Sequence, residues 1–140
     1  MRDVVTDINR SIEQLEDDAW KDVEFPTPLV EKVYRYRKIP LKQLSIEQLR
    51  LLVGQNVGLK FLVPHALAIL SQDVLAEGEH YEGDLLSAVL SAEDNYWANN
   101  KSIKILLQSK IPAWTAYLES RNENNTHIQL LKALALFELK

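Results

Sequence analysis

Residues 45–56 read Ser-Ile-Glu-Gln-Leu-Arg-Leu-Leu-Val-Gly-Gln-Asn. Ser45 stands where an N-cap belongs, and Gln48 follows three residues later. In that spacing the Ser hydroxyl takes the amide of residue 48 and the Gln side chain reaches back to the amide of residue 45. Ile46, Leu49, Leu52 and Val53 recur at helical spacing and form one apolar face. Gly54 or Asn56 can end the helix, since both residue types tolerate the left-handed conformation. A start signal, a stripe and a stop within twelve residues predict one short amphipathic helix.

The same signals recur toward the N-terminus. Ser11-Ile-Glu-Gln14 is a second capping box and predicts a helix from 12 to about 18. Thr27 caps another helix with Pro28 at its first position, where a missing N–H costs nothing. Pro40 ends that helix, because the residue before a proline is pushed out of the α region. Val30, Val33, Tyr34 and Arg37 fall on one of its faces. The pentapeptide Ser-Ile-Glu-Gln-Leu thus occurs at 11–15 and 45–49. The 34-residue offset is that of a tetratricopeptide repeat, but the flanks differ and no third copy follows near 79.

Toward the C-terminus, residues 59–71 are apolar on most sides and should be central. Pro64 should break this segment into a short turn and a main helix after it. Residues 72–84, with Gly78 and Gly83, read as the longest loop. Asp84 can cap a helix carrying Leu85, Leu86, Val89 and Leu90. Residues 95–100 read as a connector holding Tyr96 and Trp97. Asn100 caps a helix with Ile103, Leu106 and Leu107. Pro112 begins the next, with Ala113, Trp114, Tyr117 and Leu118 as a core stripe. After a turn at 121–125, Thr126-His-Ile-Gln129 is a third capping box, leading into Leu130, Leu131, Leu134 and Phe137. Seven or eight short helices without an alternating period-2 run predict an all-α fold in a single compact domain. The expected core includes Leu49, Leu52, Leu62, Leu67, Leu70, Leu86, Leu106, Trp114, Leu118 and Leu134.

Composition agrees with a globular chain. Its 140 residues are 46% hydrophobic and 26% charged, with only four Gly and five Pro, which excludes collagen-like and low-complexity classes. Without Cys there is no disulfide, thiol nucleophile or thiolate metal site. The start Met1-Arg2-Asp3, with Asp7 and Arg10 close behind, has no apolar signal segment, and the most apolar run, 61–70, is too short to span a bilayer. A cytoplasmic protein is expected.

The net charge of −4 hides a pattern. Residues 11–24 hold Glu13, Glu16, Asp17, Asp18, Asp22 and Glu24 against Lys21. Residues 31–60 are basic, and residues 61–100 contain no Lys or Arg at all. That last stretch carries Asp73, Glu77, Glu79, Glu82, Asp84, Glu93 and Asp94. A long stretch of one sign attracts a cationic partner and speeds encounter, or else serves as a solvated face. The basic segment 31–42 interleaves Tyr34 and Tyr36 with cations. Helical spacing explains this more simply than base stacking, so direct nucleic-acid binding is not expected.

Catalytic chemistry is hard to find. His65 lies in the most apolar segment and reads as a satisfied core or helix-start histidine. His127 follows a capping Thr and reads as surface. His80, within Glu77-Gly-Glu79-His80-Tyr-Glu82-Gly-Asp84, has carboxylate neighbours, but the spacing matches neither His-Glu-x-x-His nor a calcium loop, so no metal is expected. Asp17-Asp18 and Glu93-Asp94 are adjacent pairs that do not face each other on a helix. No phosphate-cradling Gly-rich loop and no nucleophile elbow are present. Neither an enzyme nor a cofactor is expected. Trp20 and Trp97 could serve as interface anchors, although core packing is the simpler reading.

Several ordered stretches point to a family. They are Ser11-Ile-Glu-Gln-Leu-Glu16 with Trp20; Pro40-Leu-Lys-Gln-Leu-Ser45 leading into Leu49-Arg50; and Gly54-Gln55-Asn56-Val-Gly58. Further along come Leu62-Val-Pro-His-Ala-Leu67 with Leu70, then Leu75-Ala-Glu-Gly78 and Tyr81-Glu-Gly-Asp-Leu-Leu86. In these the chain resembles, over roughly residues 11–110, the helical CdiI immunity proteins of bacterial contact-dependent growth inhibition (CDI). The C-terminal thirty residues lie outside the resemblance. The resemblance implies a non-catalytic protein that binds the C-terminal toxin domain of a CdiA effector in a 1:1 complex, itself a monomer. Such toxins are commonly basic nucleases, and a ribonuclease is the first expectation. The toxin-binding residues expected from charge are Asp73, Glu77, Glu79, His80, Glu82, Asp84, Glu93 and Asp94, with Asp17, Asp18 and Asp22 as a second group. The alternative is a helical adaptor that binds a peptide or partner protein.

Overall fold

A computed structural model describes residues 7–21, 25–121 and 124–140. Within them lie eight α-helices: α1 Ile12–Glu16, α2 Pro28–Tyr36, α3 Ile46–Gly54, α4 Leu59–Gln72, α5 Asp84–Leu90, α6 Asp94–Asn99, α7 Lys101–Arg121 and α8 Asn125–Glu138. A single 3-10 turn, Leu41–Gln43, precedes α3. The described residues form no strand, only an isolated bridge between Ser11 and Pro40. The fold is all-α, as the periodicity implies.

The local signals near the N-terminus act as read. Ser11 Oγ accepts from the Gln14 amide at 3.2 Å while Gln14 Oε1 accepts from the Ser11 amide at 2.9 Å. Ser45 and Gln48 repeat the exchange at 3.1 and 2.9 Å. Thr27 Oγ1 accepts from the Val30 amide, with Pro28 opening α2. Asn56, at φ +57°, takes the left-handed turn after α3. Arg37, on the same face as Val33, is buried, and its guanidinium binds Glu16 Oε1 at 2.9 Å and the Asp18 carbonyl at 2.8 Å. The Trp20 ring stacks 4.0 Å from that guanidinium and stays partly exposed, so it packs on a cation rather than in the core.

Five expectations need correction. Pro64 does not divide α4, and Pro112 does not begin a helix but lies inside α7. An interior proline costs about 3 kcal/mol, and tertiary burial exceeds that here. In α7 the buried residues Leu107, Ile111, Trp114 and Leu118 continue at helical spacing across Pro112, so one unbroken helix buries them all. Pro112 itself points to solvent. Residues 95–100 are not a connector, since α6 occupies most of them. Trp97 is buried there, donating Nε1–H to the Ala92 carbonyl and meeting the Phe137 ring edge-on. Asn100 does not cap α7; its side-chain amide donates back to the Tyr96 carbonyl. Finally, α8 is capped by Asn124 rather than Thr126, with Asn124 Oδ1 accepting from the His127 amide at 3.1 Å.

The core joins all these helices, and nine of the ten expected core residues are buried in it. Leu106 is the exception at 44% exposure, while Leu107 beside it is fully buried. Ala113 and Tyr117, read as part of the core stripe, are likewise exposed. Leu107→Ala should therefore cost about 2–5 kcal/mol. Leu106→Ala should change stability by no more than about 0.5 kcal/mol. Urea unfolding of both variants checks this, and comparable costs would contradict the placement of α7.

Two arrangements position the acidic stretch. Arg50 Nε lies 4.0 Å from Asp84 Oδ2, and past the end of α5 the Glu93 amide donates to Asn56 Oδ1 at 3.0 Å. Helices α3 and α5 therefore run side by side in the same direction. Helices α7 and α8 run antiparallel, with Lys104 Nζ donating to the Lys140 carbonyl at 2.7 Å.

Candidate functional site

The site begins with two charged residues of α3, Glu47 and Arg50, to which the sequence alone assigns no special role. Arg50 Nε donates to Glu47 Oε1 at 2.7 Å, and its second nitrogen pairs with Oε2. This fork leaves Glu47 aimed at the loop between α4 and α5, where Oε1 also accepts from the Glu79 amide at 2.9 Å. Asp84, at the start of α5, is 2% exposed. Its Oδ1 accepts from the Gly78 amide at 2.7 Å, and Oδ2 from the amides of His80 and Tyr81 at 3.1 and 3.4 Å. Four consecutive amides, 78 to 81, thus point inward at two carboxylates. Successive backbone N–H groups make a natural anion cradle, and here the anions belong to the protein itself.

Glycine is needed where this loop closes. At Gly78 a Cβ would lie 2.6 Å from Glu47 Oε1, and at Gly83, with φ +86°, it would lie 2.5 Å from Leu130 Cδ1. A side chain at either position would displace an anchor. Because the amides face inward, Glu77, Glu79, His80 and Tyr81 all stay exposed.

The fork also sets the electrostatics. The hydrogen bond from Arg50 outweighs partial burial, and with the Glu79 amide it holds the Glu47 carboxyl down at about 2. The Arg50 guanidinium is correspondingly raised by Glu47. Folding lowers the carboxyl from its ordinary 4.5, so its stabilisation is complete above about pH 4.5 and is lost as pH falls toward about 2. The stability gap between the wild type and Glu47→Gln should be widest near neutral pH and close over that acid range. Urea unfolding at stepped pH measures it, and a gap independent of pH would contradict this role for the fork.

A second tether comes from α8. His127 is not at the surface: it is 1% exposed, with Nε2 2.8 Å from Glu82 Oε1 and Nδ1 3.3 Å from the Arg121 carbonyl. The stripe His127, Leu130, Leu134 and Phe137 sits at helical spacing, which puts His127 inward once the helix starts at Asn125. A helix starting after Thr126 would put His127 at the surface in its first turn, whereas the cap at Asn124 brings it onto the buried stripe. Glu82 is thereby half-buried rather than free. His65 is neither in the core nor at a helix start, since α4 runs through it. It is half-buried, and burial pushes its imidazole below the ordinary value, partly offset by a hydrogen bond to the Leu41 backbone.

The expected acidic residues do not form one surface. The structure gathers Glu77, Glu79, His80, Glu82 and Asp84 around the loop, with Asp84 inside as an anchor. Asp73 begins the loop, and its Oδ1 accepts from the Leu75 amide. Glu93 and Asp94 lie past the far end of α5, which is about 10 Å long at 1.5 Å per residue, and Asp94 pairs with Lys140. Asp17 and Asp18 are exposed at the end of α1, beside Arg37. Asp22 lies outside the described residues. No group of three His, Asp or Glu side chains suited to a metal ion occurs among the described residues.

This combination defines a class of protein: a helical scaffold that anchors an acidic loop through carboxylates of α3 and α5. Comparison with known families makes it specific, because the family of CDI immunity proteins matches residues 14–107. The chain belongs to that family. No curated protein and no solved structure matches it. The matched span contains Glu47, Arg50 and the whole acidic loop, while α8 lies beyond it.

Proposed function

We propose that the chain neutralises the C-terminal toxin domain of a cognate CdiA effector by seating its acidic loop in a basic, nucleic-acid-binding groove. The toxin in this reading is a nuclease, with a ribonuclease first in expectation, and the loop carboxylates occupy the place of substrate phosphates. Binding is stoichiometric, one monomer to one toxin, in the cytoplasm and without catalysis. One observation carries the reading. Exposed Glu77 and Glu79 ride on a loop whose four amides are already bound by Glu47 and Asp84. A loop ordered beforehand loses little conformational freedom on docking, which is how such surfaces reach high affinity. No described helix is long and apolar enough to cross a membrane, which suits an encounter in solution.

The test uses the purified C-terminal toxin domain of the cognate CdiA effector. Mixing equimolar chain and toxin should abolish cleavage of RNA or DNA, with a 1:1 complex on size-exclusion chromatography. Toxin that stays fully active in the presence of excess chain would overturn the reading. Binding to short peptides instead would favour a helical adaptor.

A further inference from the structure

A groove of about 320 Å³ opens beside the acidic loop. Tyr81 of the loop and Ser87 of α5 line one side. Asn125, Thr126 and Gln129 of α8 form the opposite wall, with Leu130 and Ala133 beneath. None of these side chains is charged. Glu82 adjoins the groove, next to Tyr81 in the chain and bound to His127 of the α8 wall, and its carboxylate remains part-exposed. The walls are held at fixed separation by that bond and by Leu130 packing against Gly83.

We propose that this groove receives one arginine or lysine side chain from the toxin. The inference rests on the reading that the acidic loop docks the toxin, and it identifies what that docking inserts. Three features select such an occupant. The floor is apolar and suits an aliphatic stem, which long cationic side chains bury while keeping the charged head at a polar edge. Tyr81 is exposed and lines the groove, and an aromatic ring can take a cation on its face. Glu82, the chain neighbour of Tyr81, keeps a part-exposed carboxylate that can meet the head, and no Lys or Arg lines the groove among the described residues. The volume lies at the low end for ligand sites, which fits one side chain better than a cofactor. The loop wall lies inside the span matched by the family and the α8 wall outside it.

The experiment compares two plugged variants, Gln129→Trp and Asn125→Trp, with the wild type and with the loop double variant Glu77→Lys/Glu79→Lys. Both plug positions are exposed, so folding should be retained, which circular dichroism verifies. Each variant is titrated with the purified toxin domain and with toxin variants carrying single Arg→Ala or Lys→Ala changes. The plugs should weaken binding at least about tenfold, mainly by faster dissociation, as expected for a central anchor rather than a rim charge. One toxin cation should matter strongly to the wild type and hardly at all to the plugged variants. If both plugs bind as tightly as the wild type while the loop variant does not, the groove proposal fails and the acidic-loop reading stands. If the loop variant also binds normally, that reading fails too. Weakened binding with no toxin cation coupled to the plugs would overturn the assignment of the occupant.

Discussion

Asp84→Ala should release the acidic loop and cost the protein about 3–5 kcal/mol, the scale expected when several buried donors lose one charged acceptor. Asp84 is almost fully buried and binds three amides, those of Gly78, His80 and Tyr81. Alanine leaves those donors without an acceptor and leaves Arg50 with Glu47 alone. Each hydrogen bond to a charged group is worth about 1.5–3 kcal/mol, but the loop can swing outward and let water take the amides, which keeps the total below the sum. Asp84→Asn should recover only part of the loss, since its amide nitrogen would face backbone donors. Urea unfolding gives the magnitude, and hydrogen exchange at residues 78–81 shows whether the loop has opened. A cost under about 1 kcal/mol with unchanged exchange would mean that the loop does not depend on this carboxylate.

Glu77→Lys/Glu79→Lys should have the opposite profile, leaving stability nearly untouched and removing protection against the toxin. Both side chains are exposed, and neither shares in the anchoring bonds, so each change should shift stability by no more than about 0.5 kcal/mol. The charge on the loop nevertheless changes by four units, from two carboxylates to two ammonium groups. Association with a basic partner should slow by about 10- to 100-fold at low salt. The difference should shrink toward 1 M salt, where the screening length falls to about 3 Å. Stopped-flow association at two ionic strengths reads this directly. Unchanged rates at both would place the interface elsewhere, for example on the basic 31–60 segment. Glu82 is left out of this variant on purpose, because its bond to His127 would mix a folding effect with a binding effect.

The two variants also divide the acidic residues into kinds that sequence alone does not separate. Asp84, Glu79 and Asp94 look alike as letters in a stretch without Lys or Arg. In the structure one anchors amides from inside, one projects into solvent, and one pairs with Lys140 at the far end of α5. The residues that order the loop, Glu47 and Arg50, lie in a helix that reads as an ordinary capped amphipath. Their pairing at i and i+3 was visible. Their second task was not, because Glu79 is 32 residues away.

What the sequence determined by itself was the all-α class, the starts of α1, α2 and α3, and most of the core. Those features arise from interactions within one or two turns: a Ser hydroxyl and an amide three residues on, or a stripe repeating every three or four residues. The resemblance over residues 11–110 rests on the same local stretches and agrees with the family match. Only the tertiary structure decided that α4 and α7 run through their prolines, since burial of Leu107, Ile111, Trp114 and Leu118 along one face outweighs a local penalty. It also decided that His127 turns inward to meet Glu82, 45 residues away, and that the amides of 78–81 find their acceptors on α3 and α5. A buried polar group must find a partner somewhere, but nothing in its near neighbours says where, and that distant choice is what shapes the site.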